Sequence, residues 1–322
     1  DESISTIGLI KTGQLSGAKD ILLSYLRHID IDGRIPNRMP SSSLGCADGV
    51  GWVFKRFGDF VGLLHDENII RYYFTISDLE VIVDKLEAIM SRLLKDNTKD
   101  GFAVNDAQET WMDTVHKKDT RTGIRIEIQA LRLNMYALLY KLTYDEKYLK
   151  LEKELKQKVR KEFFKRGYLY DGKDDPTIRP NVFIAAYVYP KLLTRLEWIR
   201  CFSKVLPKLW LEWGGLSTID KKSPLFTENY TGEVSKSYHR GDSWFWINNL
   251  AALVMHSIDK KKFKSYIDKI FKASKEEILW KGCMNCHAEL SSASSLKSQG
   301  CINQAWSSAM FIELMHQLKN IR

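Results

Sequence analysis

Apolar residues recur along this chain at the spacing of an α-helix, in one segment after another, and that leaves little room for a sheet-based fold. Leu79, Ile82, Val83, Leu86, Ile89, Met90 and Leu93 form one stripe, with Ser77 and Glu80 in the pattern of a capping box ahead of it. Ile21, Leu22, Tyr25 and Leu26 mark a second helix, opened by Ser16; Leu151, Leu155, Val159 and Phe163 mark a third, stopped at Gly167. Phe263, Tyr266, Ile267 and Ile270 make a fourth, and Ile302, Ala305, Trp306, Ala309 and Ile312 a fifth. Residues 124–142 and 243–257 also read as helix, the latter apolar almost all round and therefore buried. About ten to twelve helices are expected, with at most a small hairpin at "GYLYDG".

The connections fall into two kinds. Those at 13–16 and 143–146 are short; those at 30–46, 96–123, 167–180, 213–242 and 281–300 are long. Long irregular connections in a compact domain are usually functional. Short and long connections in rough alternation imply helical hairpins arranged in a ring, with the long loops gathered on one face. No fixed-length repeat indicates a solenoid. No Pro- or Ser-rich linker divides the chain, so residues 1–322 are read as a single domain.

Bulk properties exclude several classes. Mean hydropathy is −0.30, and no apolar run approaches the roughly 20 residues of a membrane span. The net charge of +9 would permit nucleic-acid binding. Its basic residues, however, are interleaved with acids, as in "LEKELKQKVRKEFFKR", the pattern of solvated helix faces with i,i+4 pairs. Five irregularly spaced cysteines do not make a secreted disulfide framework, so a cytoplasmic location with mostly reduced thiols is expected. No signal peptide is visible, although the chain opens on Asp1, so a processed terminus or a missing upstream part is expected. "CMNCH" supplies half of a zinc site and matches the haem-attachment pattern, but no second tight ligand pair completes the first and nothing suggests the export that the second requires. Small thiols shaping a loop are the plainer reading, and no metal or organic cofactor is expected. There is no phosphate-binding loop, dinucleotide fingerprint or nucleophile elbow; "SYHRGDSW" alone offers Ser, His and Asp together.

What remains is carboxylates and aromatic rings on the long loops. "NDAQETWMDT" places Asp106, Glu109 and Asp113 beside Trp111. An indole face stacks on the C–H face of a pyranose, and an apolar neighbourhood raises a carboxyl pKa as a proton donor requires. Glycoside hydrolysis needs a second carboxyl group across the scissile bond. Glu289, amid the small polar residues of "CMNCHAELSSASS", is the candidate. Asn37, Arg38, Arg179 and Asn181, in "RIPNRMP" and "TIRPN", could bond sugar hydroxyls or cap helices.

Taken in order, "DESISTIGLIKTGQL", "IPNR", "ADGVGW", "ETWMD", "EIQALRLN", "RPNVFIAAYV", "YHRGDSWFW", "AEL" and "GCINQAWSSA" resemble the amylo-α-1,6-glucosidase domain of glycogen-debranching enzymes, nearly end to end. The resemblance implies an all-α fold, the (α/α)6 barrel of glucoamylase-like enzymes, and an inverting exo-glycoside hydrolase that releases glucose from α-1,6 branch stubs of an α-glucan. It implies that Asp113 is the general acid and Glu289 the general base. It implies that Asp1, Asp48, Trp52, Glu127, His239 and Trp244 line the pocket, with Asp106 and Glu109 shaping the loop or holding substrate hydroxyls. The β-rich domain that usually precedes this barrel is expected to be absent from this chain. The chain also departs from the family at His287-Ala288 before Glu289, and at Arg240 and Asp242. Other readings on the same barrel are α-1,4 cleavage or trehalose hydrolysis; outside enzymes, a glucan-binding protein.

Overall fold

The computed structural model describes residues 1–29, 33–38, 45–232 and 236–319; parts of the long connections expected at 30–46 and 213–242 therefore lie outside the described residues. The helices are α1 (Glu2–Lys11), α2 (Leu15–Arg27), α3 (Gly49–Asp66), α4 (Ile70–Tyr73, a single turn), α5 (Ile76–Asp96) and α6 (Ile126–Thr143). They continue with α7 (Glu146–Phe163), α8 (Asn181–Val188), α9 (Arg195–Leu209), α10 (Phe245–Asp259), α11 (Lys264–Glu276) and α12 (Ala305–Lys319). Strands are two residues long and serve only to tie loops.

Packing sorts the helices into two layers. α1, α3, α6, α8, α10 and α12 each touch the next, and α12 closes back on α1, making a ring. Around it stand α2, α5, α7, α9 and α11, so the fold is an (α/α)6 barrel. Sequence dictates the sorting. From Phe245 to Met255 every residue of α10 is buried, whereas α7 buries only Tyr148, Leu155, Val159 and Phe163 on one stripe. A helix apolar on all sides must be surrounded; one with a single stripe must lie outside. Close approach within the ring depends on small residues: a Cβ on Gly51 of α3 would meet the Leu131 side chain of α6 at 2.6 Å.

Short connections leave the C-terminal ends of the inner helices, and long ones lead back to their N-terminal ends. All five long loops therefore meet on one face, beside the positive ends of the inner-helix dipoles.

Local starts differ from the expected ones. Thr75 caps α5, with Asp78 completing the capping box, because the helix begins a residue before Ser77. Gln14, not Ser16, precedes α2. Ile302 stays exposed outside α12, since the Gln304 N–H is bonded to His287 O and the helix starts only at Ala305. "GYLYDG" supplies one arm of a hairpin pairing Phe164–Lys165 with Tyr168–Leu169.

Candidate active site

A cavity of about 420 Å3 opens at the long-loop face. That lies in the range of roughly 300–1,000 Å3 usual for ligand sites. The start of α1 contributes Asp1 and Glu2, the start of α3 contributes Asp48 and Trp52, and Trp244 and Trp306 come from the starts of α10 and α12. The loop before α3 adds Asn37 and Arg38, the α5–α6 loop Trp111 and Asp113, the α9–α10 loop Tyr238, and the α11–α12 loop Glu289. Among the described residues, five carboxyl groups and one guanidinium thus face one space, with indole rings as its apolar surface.

Asp113 and Glu289, 176 positions apart in sequence (289 − 113), both line this cavity. A third loop holds them with consecutive residues. The Tyr238 hydroxyl donates to Glu289 Oε1, and His239 Nε2 lies 3.2 Å from Asp113 Oδ1. Burial, and then the neighbouring Glu289, push the Tyr238 hydroxyl well above its ordinary pKa, so it remains a donor. Burial pushes His239 down to about 4, so it is neutral near pH 7. Its Nδ1 is buried without a partner; the proton therefore sits on Nε2 and is donated to Asp113, because an orphaned donor would cost more than an orphaned lone pair. His239 stacks on Trp244 at 5.0 Å, and the Trp244 Nε1–H donates to Tyr238 O at 2.7 Å.

Glu289 is gripped from a second side. Cys301 N–H donates to Oε2 at 2.9 Å. The strand Leu290–Ser291 that follows it pairs with Ser243–Trp244 and with Ser298–Gln299. Behind this hairpin lies Glu277, fully buried in a π-helical turn over Glu277–Lys281. Its carboxylate accepts from His287 Nδ1 at 2.6 Å and from Ser298 Oγ at 2.7 Å, joining both arms. Burial lowers the His287 pKa, and its Nε2 accepts from Asn249 Nδ2 at 3.1 Å. Both ring nitrogens are thus used, so His287 is not a free ligand beside Cys283 and Cys286.

Trp111 is fixed from four directions. Its N–H bonds Asp48 Oδ2 at 2.8 Å, its Nε1–H bonds Asn181 Oδ1 at 2.8 Å, and it meets Trp244 and Trp246 edge-on. Burial raises the Asp48 carboxyl, which also accepts from Cys46 Sγ at 3.0 Å. Gln304 Nε2 holds Asp1 Oδ2 at 2.9 Å.

Several expected site residues are placed differently. Glu127 does not line the cavity; it is buried and paired with Arg121 at 2.7 Å, in a network with Asp171. Burial raises Glu127; burial would also raise Asp171, but Arg121, Arg179 and Arg125 together hold it at about 2. His239 lies behind Asp113 and not on the wall. Arg179 pairs with Asp119 and donates to His239 O at 2.8 Å, and Asn181 bridges Trp111 to Asp171; both build the frame. Glu109 pairs with Arg34 and accepts the Asp106 N–H at 2.7 Å, tying two loops together. The Asp113 side chain is 45% exposed, not sunk against Trp111 and Met112 as expected, because those two turn inward and Asp113 turns to the opening. Tyr238, Trp306, Gln304 and Glu277 were not anticipated as site residues, although Tyr238 lies in "YHRGDSWFW" and Gln304 and Trp306 lie in "GCINQAWSSA".

A helical ring whose loop face gathers carboxylates and indole rings around one cavity has the make-up of a glycoside hydrolase of the (α/α)6 type. The model of the family described as amylo-alpha-1,6-glucosidase matches residues 1–313, and the chain belongs to that family. Solved structures agree on the fold. The GH63 mannosylglycerate hydrolase from Thermus thermophilus, in complex with Tris and D-glycerate, is 12% identical with a TM-score of 0.71, over 97% of this chain and 91% of that one. A glycosidase variant, E335A, in complex with glucose is 12% identical with a TM-score of 0.69, over 99% of this chain and 87% of that one. A comparison with curated proteins gave no match. Among the described residues no helix is long and apolar enough to cross a membrane.

Proposed function

We propose that the protein is an inverting exo-glucosidase that removes single glucose units from α-1,6 branch stubs of a glycogen-like glucan. The observation that carries this reading is the shared cavity: Asp113 and Glu289 reach it from different loops, each held by one of two consecutive residues. Asp113, open to the cavity, gives its proton to the glycosidic oxygen as the bond from C1 breaks. Glu289, oriented by Tyr238 and Cys301, takes a proton from the water that attacks C1 from the other face. Inversion requires the two carboxyl groups to stand roughly 6.5–9.5 Å apart, leaving room for that water. Trp52, Trp111 and Trp244 offer apolar surface to the sugar, while Asp1, Asp48 and Arg38 receive its hydroxyls.

The linkage preference rests on the family. A second reading is drawn from the mannosylglycerate hydrolase neighbour: Arg38, the guanidinium of the lining, would face the carboxylate of a glycosylated acid. Glucose release from isomaltose, panose, maltose and trehalose, set against hydrolysis of mannosylglycerate, separates these. The proposed function expects the α-1,6 substrates to be preferred, and to lose turnover by orders of magnitude in Asp113→Asn and Glu289→Gln with little change in melting. Unchanged turnover in either variant removes that residue from the mechanism.

A further inference from the structure

Beside the catalytic cavity lies a second hollow of about 520 Å3 that shares no lining residue with it. Its walls are the hairpin after α9 and the stretch Ala293–Leu296, which continues the strand following Glu289. The same two loops that present Tyr238 and Glu289 inward thus form a groove on their other side.

Its aromatic surface is built and held rigid. Trp210 and Trp213, three residues apart in "WLEWGG", are both half-buried. The Trp213 Nε1–H donates to Ala293 O at 3.1 Å, and its ring lies so close to Gly215 that a Cβ there would fall 2.3 Å from it. Trp210 meets Tyr266 edge-on at 4.7 Å. Ser294 and Ser295, both exposed, complete the lining, with Ser294 Oγ 3.1 Å from Ser292 Oγ.

Charge decides the class of occupant. Among the described residues two lysines and two glutamates line the groove, so their charges cancel despite the basic chain. Both lysines are already engaged: Lys221 Nζ donates to Trp210 O at 2.6 Å, and Lys281 pairs with Glu276 at 3.0 Å. A phosphate backbone would find no net positive field there. Fixed indole rings and serine hydroxyls in one groove without net charge suit a polyhydroxylated ring with apolar faces.

We propose that this groove is a second carbohydrate site, which binds a segment of α-glucan chain outside the catalytic cavity and holds a polymeric substrate near it. The inference rests on the glucan reading of the catalytic site. Binding at two linked places raises the effective concentration of branch stubs at the cavity without changing the chemistry there.

The test uses the whole chain, Trp210→Ala, and Ser294→Tyr, which adds bulk to the opening and gives up one side-chain contact, that of Ser294 Oγ with Ser292 Oγ. Each is run in native gels containing glycogen and assayed on a branched limit dextrin and on panose. The parent is expected to be retarded and to release glucose from both substrates. Each variant should bind glycogen about tenfold more weakly and show a similar rise in KM for the limit dextrin. Its kcat/KM on panose should stay within about twofold of the parent, since free small substrate does not use a second site. If Trp210→Ala does not fold, Ser294→Tyr decides alone. Unchanged retardation of Ser294→Tyr, or equal losses on panose and limit dextrin, overturns the groove. A parent inactive on both substrates overturns the glucan reading and the groove's occupant with it; an active parent with unaltered variants removes only the groove.

Discussion

Gly300→Ala tests how closely Glu289 must be held. Gly300 has φ +68°, and a Cβ built there would lie 2.1 Å from Glu289 Oε2. Two costs follow. An alanine in the left-handed region costs about 1–2 kcal/mol relative to glycine. The carboxylate must also move by more than an ångström to regain contact distance, breaking the bond from Cys301 N–H, and a hydrogen bond to a charged group is worth about 1.5–3 kcal/mol. Stability should fall by a few kcal/mol, which for a chain of this size lowers Tm by several degrees. Activity should fall further, because a 1 Å misplacement of a reacting group costs about 100-fold. The assay is kcat on panose at saturation beside a thermal melt. A variant that melts lower yet keeps near-parent kcat would refute the reasoning, since the gripped position of Glu289 would then be irrelevant to turnover.

Tyr238→Phe removes one donor from Glu289 and should lower kcat about 10- to 100-fold with KM nearly constant, read by steady-state kinetics on panose. Glu277→Ala leaves the buried His287 Nδ1–H and the Ser298 hydroxyl without their acceptor; a loss of about 1–3 kcal/mol in a melt and a fall in kcat larger than any rise in KM are expected. Asp242 is fully buried, and burial raises its carboxyl to about 7 against an ordinary 3.8. Because the folded state holds that proton more tightly, the stabilisation is complete below about pH 4 and is lost as pH rises through 7, by roughly 4 kcal/mol at most. Asp242→Asn should therefore flatten the fall of Tm between pH 4 and 7 that the parent shows, and an identical slope in both proteins would contradict it.

The architecture was legible because the inner and outer helices differ in composition. α10 is apolar on every side and α7 on one, and alternating loop lengths then fix which ends share a face. That Asp113 would reach the cavity was legible from Trp111 beside it, yet not its exposure, which depends on which way one residue turns after two that are buried. Glu277 was illegible: "SKEEILWKG" reads as a solvated charged stretch, and only the π-turn directs one of its acids inward. Glu127 was assigned to the cavity through a motif, but its partner Arg121 lies in a loop whose course no periodicity predicts.

The central claim, that Asp113 and Glu289 act on opposite faces of one bound glucose, is tested most directly by the anomer released. Proton NMR of panose hydrolysis, followed before mutarotation equilibrates the product, should show β-glucose appearing first. Initial release of α-glucose would mean retention and would contradict the assignment of Glu289 as a base acting through water.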